Sequence, residues 1–251
     1  MPKLATWNVN GLRKLPTEKL DQLLAIADVL LVQELRLPRG SSDWPSSISP
    51  KHHIAMSLGG AAGRGGVMTV SRIKPSRIVI EPIHRVDAVG RSLLTCYREF
   101  SVLNLYVPHG RRDRHEVPQK LQYLDSVCRF TQGWDGPPLL IGGDLNVALE
   151  PLDCARPKQN ATSALFSSEI RQVLGRLLNL GYRDYLRELN PTTEGLFTWW
   201  PYAFNARERN IGWRIDYILA PTEIECLTAR HLPQISGSDH CPTLLGFSTR
   251  Q

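Results

Sequence analysis

Short apolar runs that end in polar residues recur along the chain. Residues 4–10 alternate apolar and polar side chains and stop at Gly11, and residues 29–34 form a second apolar run that ends in a carboxylate. Runs of this length and composition are typical of strands. The same pattern predicts further strands over residues 67–70, 78–80, 92–97, 100–107, 139–141, 196–200, 213–219 and 243–247.

Leucines at helical spacing predict three amphipathic helices among these strands. The helices cover residues 16–26, 119–131 and 167–180, whereas residues 38–53 are rich in Ser and Pro and predict a loop. The connections between residues 78 and 107 are short, which favours antiparallel pairing of the strands there. The pattern therefore predicts a mixed α/β fold.

Polar side chains gather at the predicted ends of the strands. Asn8 and Glu34 end two adjacent strands, which would bring an amide and a carboxylate to one edge of a sheet. Asp144 and Asn146 follow an apolar run and the pair Gly142-Gly143, which allows the chain to turn sharply. Ligands of α/β sheets usually bind at such strand ends. Taken alone, the same Asp and Asn also suit an ordinary turn.

Four more candidate groups lie far apart in the sequence. Tyr106 is close to the end of the strand 100–107, and Asp216 lies within the strand 213–219. Asp239 and His240 stand on a loop just before the last strand. An isolated Asp–His pair is often structural, but together with the other strand ends it completes an inventory of a carboxylate base, an imidazole and anion donors.

Aromatic and basic residues suggest contacts to a polyanion. Trp199 and Trp213 lie near Arg207, so they line either the core or a nucleotide-sized pocket. The loop 111–115, which contains Arg112, is basic, and it forms either a solvated face or a phosphate contact.

Composition narrows the class of protein. The 251 residues show no Gly/Ser/Pro linker, which favours one domain over residues 1–251. A net charge of +6 favours polyanionic partners such as nucleic acid. No apolar run approaches a membrane span, and no membrane partner is expected. The five cysteines are odd in number and form no C-x-x-C pair, which argues against a disulfide framework or a zinc site and favours a reducing, cytoplasmic location.

The candidate residues fit metal-assisted attack on a phosphate. A Mg²⁺ ion needs one or two carboxylates and leaves its other positions to water and phosphate, and Glu34 with Asp239 would supply them. Asp144 would orient or deprotonate an attacking water. His240, hydrogen-bonded to Asp216, would stabilise the negative charge that develops on the phosphate oxygens.

Six segments of the chain resemble, in order, motifs of the exonuclease III-like AP endonucleases, within the endonuclease/exonuclease/phosphatase superfamily. They are WNVNGL at Trp7, LVQEL ending at Leu35, LNLYVP at Leu103, GGDLNVA at Gly142, NARERNIGWRIDYIL at Asn205 and SDHCP at Ser238. The resemblance covers nearly the whole chain. It implies a four-layered α/β sandwich of two mixed sheets, packed face to face with helices outside, and an active site at one end of the sheets.

By matching position, the resemblance also implies roles for single residues. Metal binding falls to Glu34, supported by Asn8 and Asp239, and water activation falls to Asp144. The scissile phosphate would be held by Asn146, Tyr106 and His240. Asp216 would orient the His240 imidazole. The pocket for the abasic sugar would be lined by Trp199, Trp213 and Ile215. The implied cofactor is Mg²⁺, with Mn²⁺ as a substitute.

The sequence departs from the family pattern at three places. His109 stands where the family usually carries Asn or Gln near the phosphate, although His can still donate a hydrogen bond. Glu34 is followed by Leu35-Arg36 in place of the usual Thr-Lys, and the segment 36–63 is short. In such a family, a trimmed loop of this kind would alter the balance between endonuclease and exonuclease activity.

The resemblance implies a monomeric, nucleoid-associated repair nuclease of double-stranded DNA. It would hydrolyse phosphodiesters 5′ to abasic sites, remove nucleotides from 3′ ends, or both, and its DNA substrates would be abasic or 3′-blocked. Two alternatives stay open: a phosphatase of the same superfamily acting on lipid or inositol phosphates, and a non-catalytic DNA-binding homologue. The second would be expected to lose at least one of the four central side chains, Glu34, Asp144, Asp216 and His240, and all four are present.

Overall fold

A computed structural model describes residues 1–41, 48, 51–59, 63–83, 89–110 and 116–249. In chain order, its strands and helices in these ranges are β1 (Lys3–Asn8), α1 (Thr17–Ile26), β2 (Val29–Gln33), β3 (His53–Ser57), β4 (Val67–Ser71), β5 (Arg77–Ile80), β6 (Ser92–Cys96), β7 (Ser101–Tyr106), α2 (Glu116–Gln132), β8 (Leu139–Asp144), α3 (Ser168–Asn179), β9 (Tyr182–Arg183), α4 (Tyr185–Leu189), β10 (Asp216–Pro221), β11 (Ile224–His231) and β12 (Thr243–Thr249).

The strands form two mixed sheets of similar design. The first has the order β11-β12-β1-β2-β4-β3 and the second the order β5-β6-β7-β8-β10-β9, with six strands each among the described residues. In each sheet one central pair is parallel, β1 with β2 and β7 with β8, and its neighbours are antiparallel. Because parallel strands end at the same edge, Asn8 pairs with Gln33, the residue before Glu34, and Tyr106 pairs with Asp144.

Three apolar layers hold the sheets and helices together. Between the sheets, leucine and valine side chains from both sheets pack with Phe100 and Phe247. On the outer face of the first sheet, Leu20, Leu23 and Leu24 of α1 cover β1, β2 and β4. The outer face of the second sheet packs against α2 and α3. The predicted four-layered α/β sandwich is confirmed.

A polar contact also crosses between the two sheets. Gln33 of β2 donates a hydrogen bond from Nε2 to Asn104 Oδ1 on β7 at 2.8 Å, and Asn104 Nδ2 donates to the carbonyl oxygen of Met68 at 2.9 Å. All of these side chains are buried. Hydrogen bonds are directional, so this contact fixes how the sheets slide relative to each other more strictly than apolar packing alone.

The structure differs from the predicted strands and helices in several places. Strand β3 begins at His53, within the segment predicted as a loop, and β11 was not predicted. The polar alternation of β11 is interrupted by a register shift between Cys226 and Thr228, which hides the period-two pattern. Residues 196–200 form no strand, and β10 begins at Asp216, because the aromatic segment makes only isolated bridges. Helix α4 and the short β9 were also missed.

A buried ion cluster fastens the chain just before β10. Arg214 is fully buried and donates to both carboxylate oxygens of Asp153, at 2.7 and 2.9 Å, and its guanidinium is 2.7 Å from a carboxylate oxygen of Asp184. Removing one partner from such a cluster leaves uncompensated charge in the interior. We expect Arg214→Met to lower the free energy of unfolding by about 3 to 5 kcal/mol.

Urea denaturation measures this effect. The matched control is Arg183→Met, because the ion pair of Arg183 with Glu188 is exposed to solvent. We expect the control to change the free energy of unfolding by less than about 1 kcal/mol. An Arg214→Met protein as stable as the wild type would contradict a stabilising role for the cluster.

Candidate active site

A cleft of about 470 Å³ opens where the carboxyl ends of β1, β2, β7 and β8 meet. The residues that line it come from both sheets and from the loops before β10 and β12. They are Asn10, Glu34, Arg36, Arg91, Tyr106, Pro108, His109, Glu116, Gln119, Asp144, Asn146, Trp199, Tyr202, Ile215, Asp239 and His240. Most of the polar residues that the sequence singled out therefore face one cavity, whereas Asn8 and Asp216 are fully buried and do not line it.

Asn8 joins the two sheets at the floor of this cleft. Its Nδ2 donates one hydrogen bond to Glu34 Oε1 at 3.0 Å and another to Asp144 Oδ2 at 2.9 Å. Asn8 itself is fully buried, and its Oδ1 accepts from the backbone N–H of Asn10 at 3.0 Å. One amide thus sets the spacing of two carboxylates that belong to different sheets.

Glu34 has an unusual backbone and a charged neighbour. Its φ of 55° lies in the left-handed region, where a residue with a side chain is strained, and such strain is concentrated at functional sites. Its Oε2 accepts hydrogen bonds from the Arg36 guanidinium at 2.7 and 3.1 Å. Burial acts to raise the pKa of Glu34, but the hydrogen bonds from Asn8 and Arg36 and the charge of His240 outweigh it and lower the pKa. Glu34 is therefore an anion at neutral pH.

Asp144 is buried and its pKa is raised. Burial, together with the negative charge of Asp216, raises the pKa of Asp144 to about 7, against the opposing effects of His240 and Asn8. Its Oδ1 accepts the backbone N–H of Asn146 at 2.9 Å. A carboxylate with a pKa near 7 exchanges protons readily at neutral pH.

Asp216 and His240 form a buried pair. The distance between Asp216 Oδ2 and His240 Nδ1 is 2.8 Å. Burial acts to lower the pKa of His240, but the charge of Asp216 and the hydrogen bond to it raise the pKa to about 10. The imidazole is thus a cation at neutral pH, with Nε2 left as a donor on the side away from Asp216.

Two hydroxyl groups hold this pair in place. Thr198 Oγ1 accepts the backbone N–H groups of Ile215 and Asp216 at 3.0 and 3.1 Å. Ser238 Oγ donates to the carbonyl oxygen of Asn8 at 2.8 Å and accepts the backbone N–H of His240 at 3.2 Å. The loop before β12 is therefore fastened directly to the end of β1.

Tyr106 and Asp239 complete the polar lining. Burial, with the negative charges of Glu34 and Asp144, raises the pKa of Tyr106 well above its usual value, so the phenol keeps its proton. Asp239 Oδ1 accepts from Asn10 Nδ2 at 2.8 Å, and its Oδ2 accepts from Trp199 Nε1 at 3.0 Å. The Asp239 carboxylate is thus fixed at the rim of the cleft.

The sequence as a whole matches a known family over most of its length. A sequence model of the endonuclease/exonuclease/phosphatase family matches residues 5–240. The chain belongs to this family. The resemblance of its six segments to that superfamily is thereby confirmed.

Individual members of the family are similar to the chain from end to end. It is 31% identical over 252 aligned residues to an exodeoxyribonuclease of Bacillus subtilis, with 97% of this chain and 98% of that protein covered. It is 30% identical to the DNA repair nuclease APEX1 of Danio rerio, with 97% of this chain and 81% of that protein covered. A solved structure of an AP endonuclease from Archaeoglobus fulgidus has a TM-score of 0.88 and 27% identity, covering 99% and 100% of the two chains.

The donor set of this family member fits a hard divalent cation. Among the residues that the structure describes, ligand atoms of Asp144, Asp216 and His240 lie within 4.8 Å of one another, and the buried Asp216 Oδ1 has no hydrogen-bond partner. Burial acts to lower the pKa of Arg36, but Glu34 and Asp239 are among the groups that raise it. The Arg36 guanidinium is therefore a positive charge held by the field of these two carboxylates. Clustered carboxylate and amide oxygens are the ligands that Mg²⁺ prefers.

The predicted substrate-contacting residues do not all lie in the cleft. Trp199, Ile215 and His109 line it, and the ring centroids of His109 and Trp199 are 6.5 Å apart. Trp213 does not line the cleft; it is partly buried and, like Trp199, packs against an apolar cluster that contains Ile215. Arg207 donates to the carbonyl oxygens of Pro233, Ile235 and Ser238 and stacks over Trp200, which places it outside the lining. Arg112 and the rest of the loop 111–115 lie outside the described residues.

Several lining residues were not predicted from the sequence. Arg91 lies 5.1 Å from the ring centroid of Tyr106, and Tyr202 accepts a hydrogen bond from Asn10. Gln119 lines the cleft from the first turn of α2. This helix begins at Glu116, whereas the predicted helix begins at residue 119. A polar residue next to a strand or helix end was the only available signal, and it is too common on protein surfaces to single these positions out.

The pKa values of Asp144 and His240 predict how turnover depends on pH. If Asp144 must be deprotonated and His240 protonated, kcat/KM falls below about pH 7 and above about pH 10. Because a single deprotonation, that of Asp144, controls the acid limb, kcat/KM at pH 6 should be about tenfold below its plateau. Both limbs reflect the charges of the neighbouring site residues as well as those of Asp144 and His240. A bound cation would lower the pKa of Asp144 and so shift the acid limb to lower pH.

Cleavage rates between about pH 5.5 and 10.5 measure both limbs. The decisive comparison is with His240→Gln, a neutral side chain, which should lose the alkaline limb together with most of the rate. An alkaline limb that persists unchanged in His240→Gln would assign that limb to a different group.

Proposed function

We propose that this protein is a metal-dependent DNA repair nuclease. It hydrolyses phosphodiester bonds 5′ to abasic sites in double-stranded DNA and removes nucleotides or blocking groups from 3′ ends. The proposed metal is Mg²⁺, with Mn²⁺ as a substitute. The observation that supports the proposal is the Asn8 bridge between Glu34, the proposed metal-binding carboxylate, and Asp144, the proposed base.

The proposed metal site lies on the Glu34 side of the cleft. Glu34 provides the main carboxylate with Asp239 in support, and Asn8 supports the site by holding the Glu34 carboxylate through its amide N–H. When bound, the metal polarises the phosphate and neutralises charge on the leaving oxygen. The Arg36 guanidinium pairs with the Glu34 carboxylate. Because the Arg36 side chain is about half exposed, it has room to move away and leave the Glu34 carboxylate to the metal.

The remaining polar groups act on water and on the phosphate. Asp144 takes a proton from the attacking water, and its raised pKa suits proton transfer near pH 7. His240, held by Asp216, donates from Nε2 to a non-bridging oxygen. Tyr106 and Asn146 donate to the same phosphate, since the phenol keeps its proton and one Asn146 amide hydrogen remains after the bond to the Val107 carbonyl oxygen.

The choice of DNA over a lipid or inositol phosphate rests on the aromatic side of the cleft. Trp199 and Ile215 form an apolar wall beside His240, and Trp213 packs against the same apolar cluster. A flipped-out deoxyribose without its base fits such a pocket, whereas an intact nucleotide would clash with the wall. In the described ranges, no helix is long and apolar enough to cross a membrane.

Affinity for DNA would come from basic residues around the cleft. The chain carries a net charge of +6, and Arg36 and Arg91 lie in the cleft itself. Such contacts make binding weaken as salt rises. We propose that the protein acts as a monomer on cytoplasmic, nucleoid-associated DNA, because one chain carries the full set of proposed site residues.

A panel of three substrates tests the choice of substrate. An abasic-site duplex, an intact blunt duplex and a soluble inositol phosphate are each incubated with the protein in Mg²⁺. We expect incision of the abasic duplex, with slower digestion of the blunt duplex from its 3′ ends. Hydrolysis of the inositol phosphate alone would overturn the DNA repair function in favour of the phosphatase.

A further inference from the structure

A lysine is buried under the wall of the cleft, where it plays no part in the proposed chemistry. Lys120 lies on α2 and is 0% exposed, on the same face as the core residues Tyr123, Leu124 and Val127. Buried lysines are rare unless their ammonium groups are fully satisfied, because an unpaired buried charge is costly. The partners of Lys120 therefore indicate what it does.

All three donors of the ammonium group have a backbone acceptor. Nζ donates to the carbonyl oxygens of Asn146 and Ala164, at 2.5 Å each, and of His109, at 3.3 Å. A lysine ammonium has three N–H donors and no acceptor, so these three bonds use its full capacity. Burial lowers the pKa of Lys120 to about 7 while the charge of Asp144 opposes this, so the group depends on the carbonyl oxygens in place of water.

The three carbonyl oxygens belong to three separate loops. His109 follows β7 and Asn146 follows β8, and both side chains line the cleft. Ala164 precedes Leu165, whose carbonyl oxygen accepts the backbone N–H of Ala148 at 2.7 Å. One ammonium group thus connects the loop of Asn146, a proposed phosphate contact, and the loop of the cleft-lining His109 with the segment that contains Ala164.

The backbone around Lys120 leaves little freedom for these loops. Asn146 has a φ of 51°, in the left-handed region, so its conformation depends on contacts that hold it there. Gly110 has a φ of 80°, and a Cβ on it would come within 3.0 Å of the Ala164 Cβ and 3.5 Å of the Lys120 Cδ. The loop after β7 is therefore folded closely around the lysine stem.

We propose that Lys120 is a positioning residue that sets the places of the Asn146 and His109 side chains by holding their carbonyl oxygens. This rests on the proposed function. Lys120 does not touch the substrate, and it acts on turnover through the loops after β7 and β8. Misplacing a substrate-orienting group by about an ångström costs up to roughly 100-fold in rate.

The test combines Lys120→Met, Asn146→Ala and the double variant, assayed on an abasic-site duplex in Mg²⁺. Methionine keeps the length of the side chain and removes all three donors. We expect Lys120→Met to lower kcat by about 10- to 100-fold and to change KM by less than about threefold, because geometry and not affinity is lost. In the Asn146→Ala background the same change should cost less than about threefold more, since its main target is already gone.

The matched control is Thr131→Val, on the same helix. Thr131 is buried and its hydroxyl donates to the carbonyl oxygen of Val127 at 2.8 Å, so this change also removes a buried donor, but far from the cleft. Its kcat should equal that of the wild type. If Lys120→Met does not fold, Lys120→Gln, which keeps two donors, takes its place. It is then assayed at low temperature, alone and combined with Asn146→Ala.

The outcomes separate this proposal from the proposed function. A wild-type protein that does not cut the abasic duplex contradicts the proposed function itself. A wild type that cuts, together with a Lys120 variant of unchanged kcat, overturns the positioning role. The role is also overturned if the Lys120 change costs the same factor with and without Asn146, because Lys120 then acts independently of that side chain.

Discussion

Asp144→Asn should lower kcat by about 10³-fold while DNA affinity changes by less than about threefold, because general base catalysis contributes roughly that much to the rate. Asparagine has nearly the same shape as aspartate but cannot accept the proton of the attacking water. It also removes the negative charge that helps to hold His240 protonated. Single-turnover cleavage of an abasic-site duplex, with affinity measured separately, distinguishes loss of chemistry from loss of binding.

The matched control for this prediction is Asp125→Asn. Asp125 is a partly exposed carboxylate on α2 that pairs with Arg129 and Arg176, away from the cleft. Its neutralisation should leave kcat unchanged. Turnover by Asp144→Asn within about tenfold of the wild type would show that Asp144 is not the base, since even a modest general base contributes more than that.

Glu34→Ala should abolish most turnover and retain much of the affinity for DNA. Glu34 is the main carboxylate of the proposed metal site, and its loss also releases Arg36 and one hydrogen bond of Asn8. We expect kcat to fall by about 10²- to 10³-fold at a metal concentration that saturates the wild type, as for loss of a major electrostatic contribution to the transition state. A titration of rate against Mg²⁺ should also show weaker activation by the metal.

The control for Glu34 is Glu225→Ala. Glu225 is an exposed carboxylate on β11 that accepts a hydrogen bond from Ser248, and its removal should affect neither kcat nor the metal dependence. If Glu34→Ala cuts DNA at the wild-type rate, Glu34 is not a metal ligand. The carboxylates of Asp144 and Asp216 would then be the stronger candidates for the metal site.

The apolar pattern predicts most strands and the mixed α/β class, except at the edges of the sheets, whereas the four-layered arrangement comes from the family resemblance. The central strands β1, β2, β7 and β8 are almost wholly buried. Strands β2 and β8 are accordingly short apolar runs, whereas β1 and β7 also contain buried polar residues such as Thr6 and Asn104. Edge strand β11 alternates between exposed and partly buried residues and contains a bulge, so its pattern is weak. The aromatic segment before β10 looked like a strand because Trp is common in strands, but its backbone hydrogen bonds go to loops.

The candidate site could be predicted only as a set of strand ends. The ends of β1, β2, β7 and β8 carry Asn8, Glu34, Tyr106 and Asp144, and the parallel pairing of these strands accounts for their approach. The bridge that Asn8 forms between the two sheets could not be predicted from a sequence pattern, because Asn8 and Asp144 are 136 positions apart. Lys120 was missed for a related reason: its acceptors are backbone atoms, which any sequence can provide. The chemical roles of the site residues remain predictions.

The most direct test of the account is cleavage of a duplex with one abasic site, in Mg²⁺ and in EDTA. The account predicts one incision on the 5′ side of the abasic site in Mg²⁺, no incision in EDTA, and recovery when Mg²⁺ is restored in excess. Equal cleavage in EDTA, or an abasic duplex left intact in Mg²⁺, would contradict it.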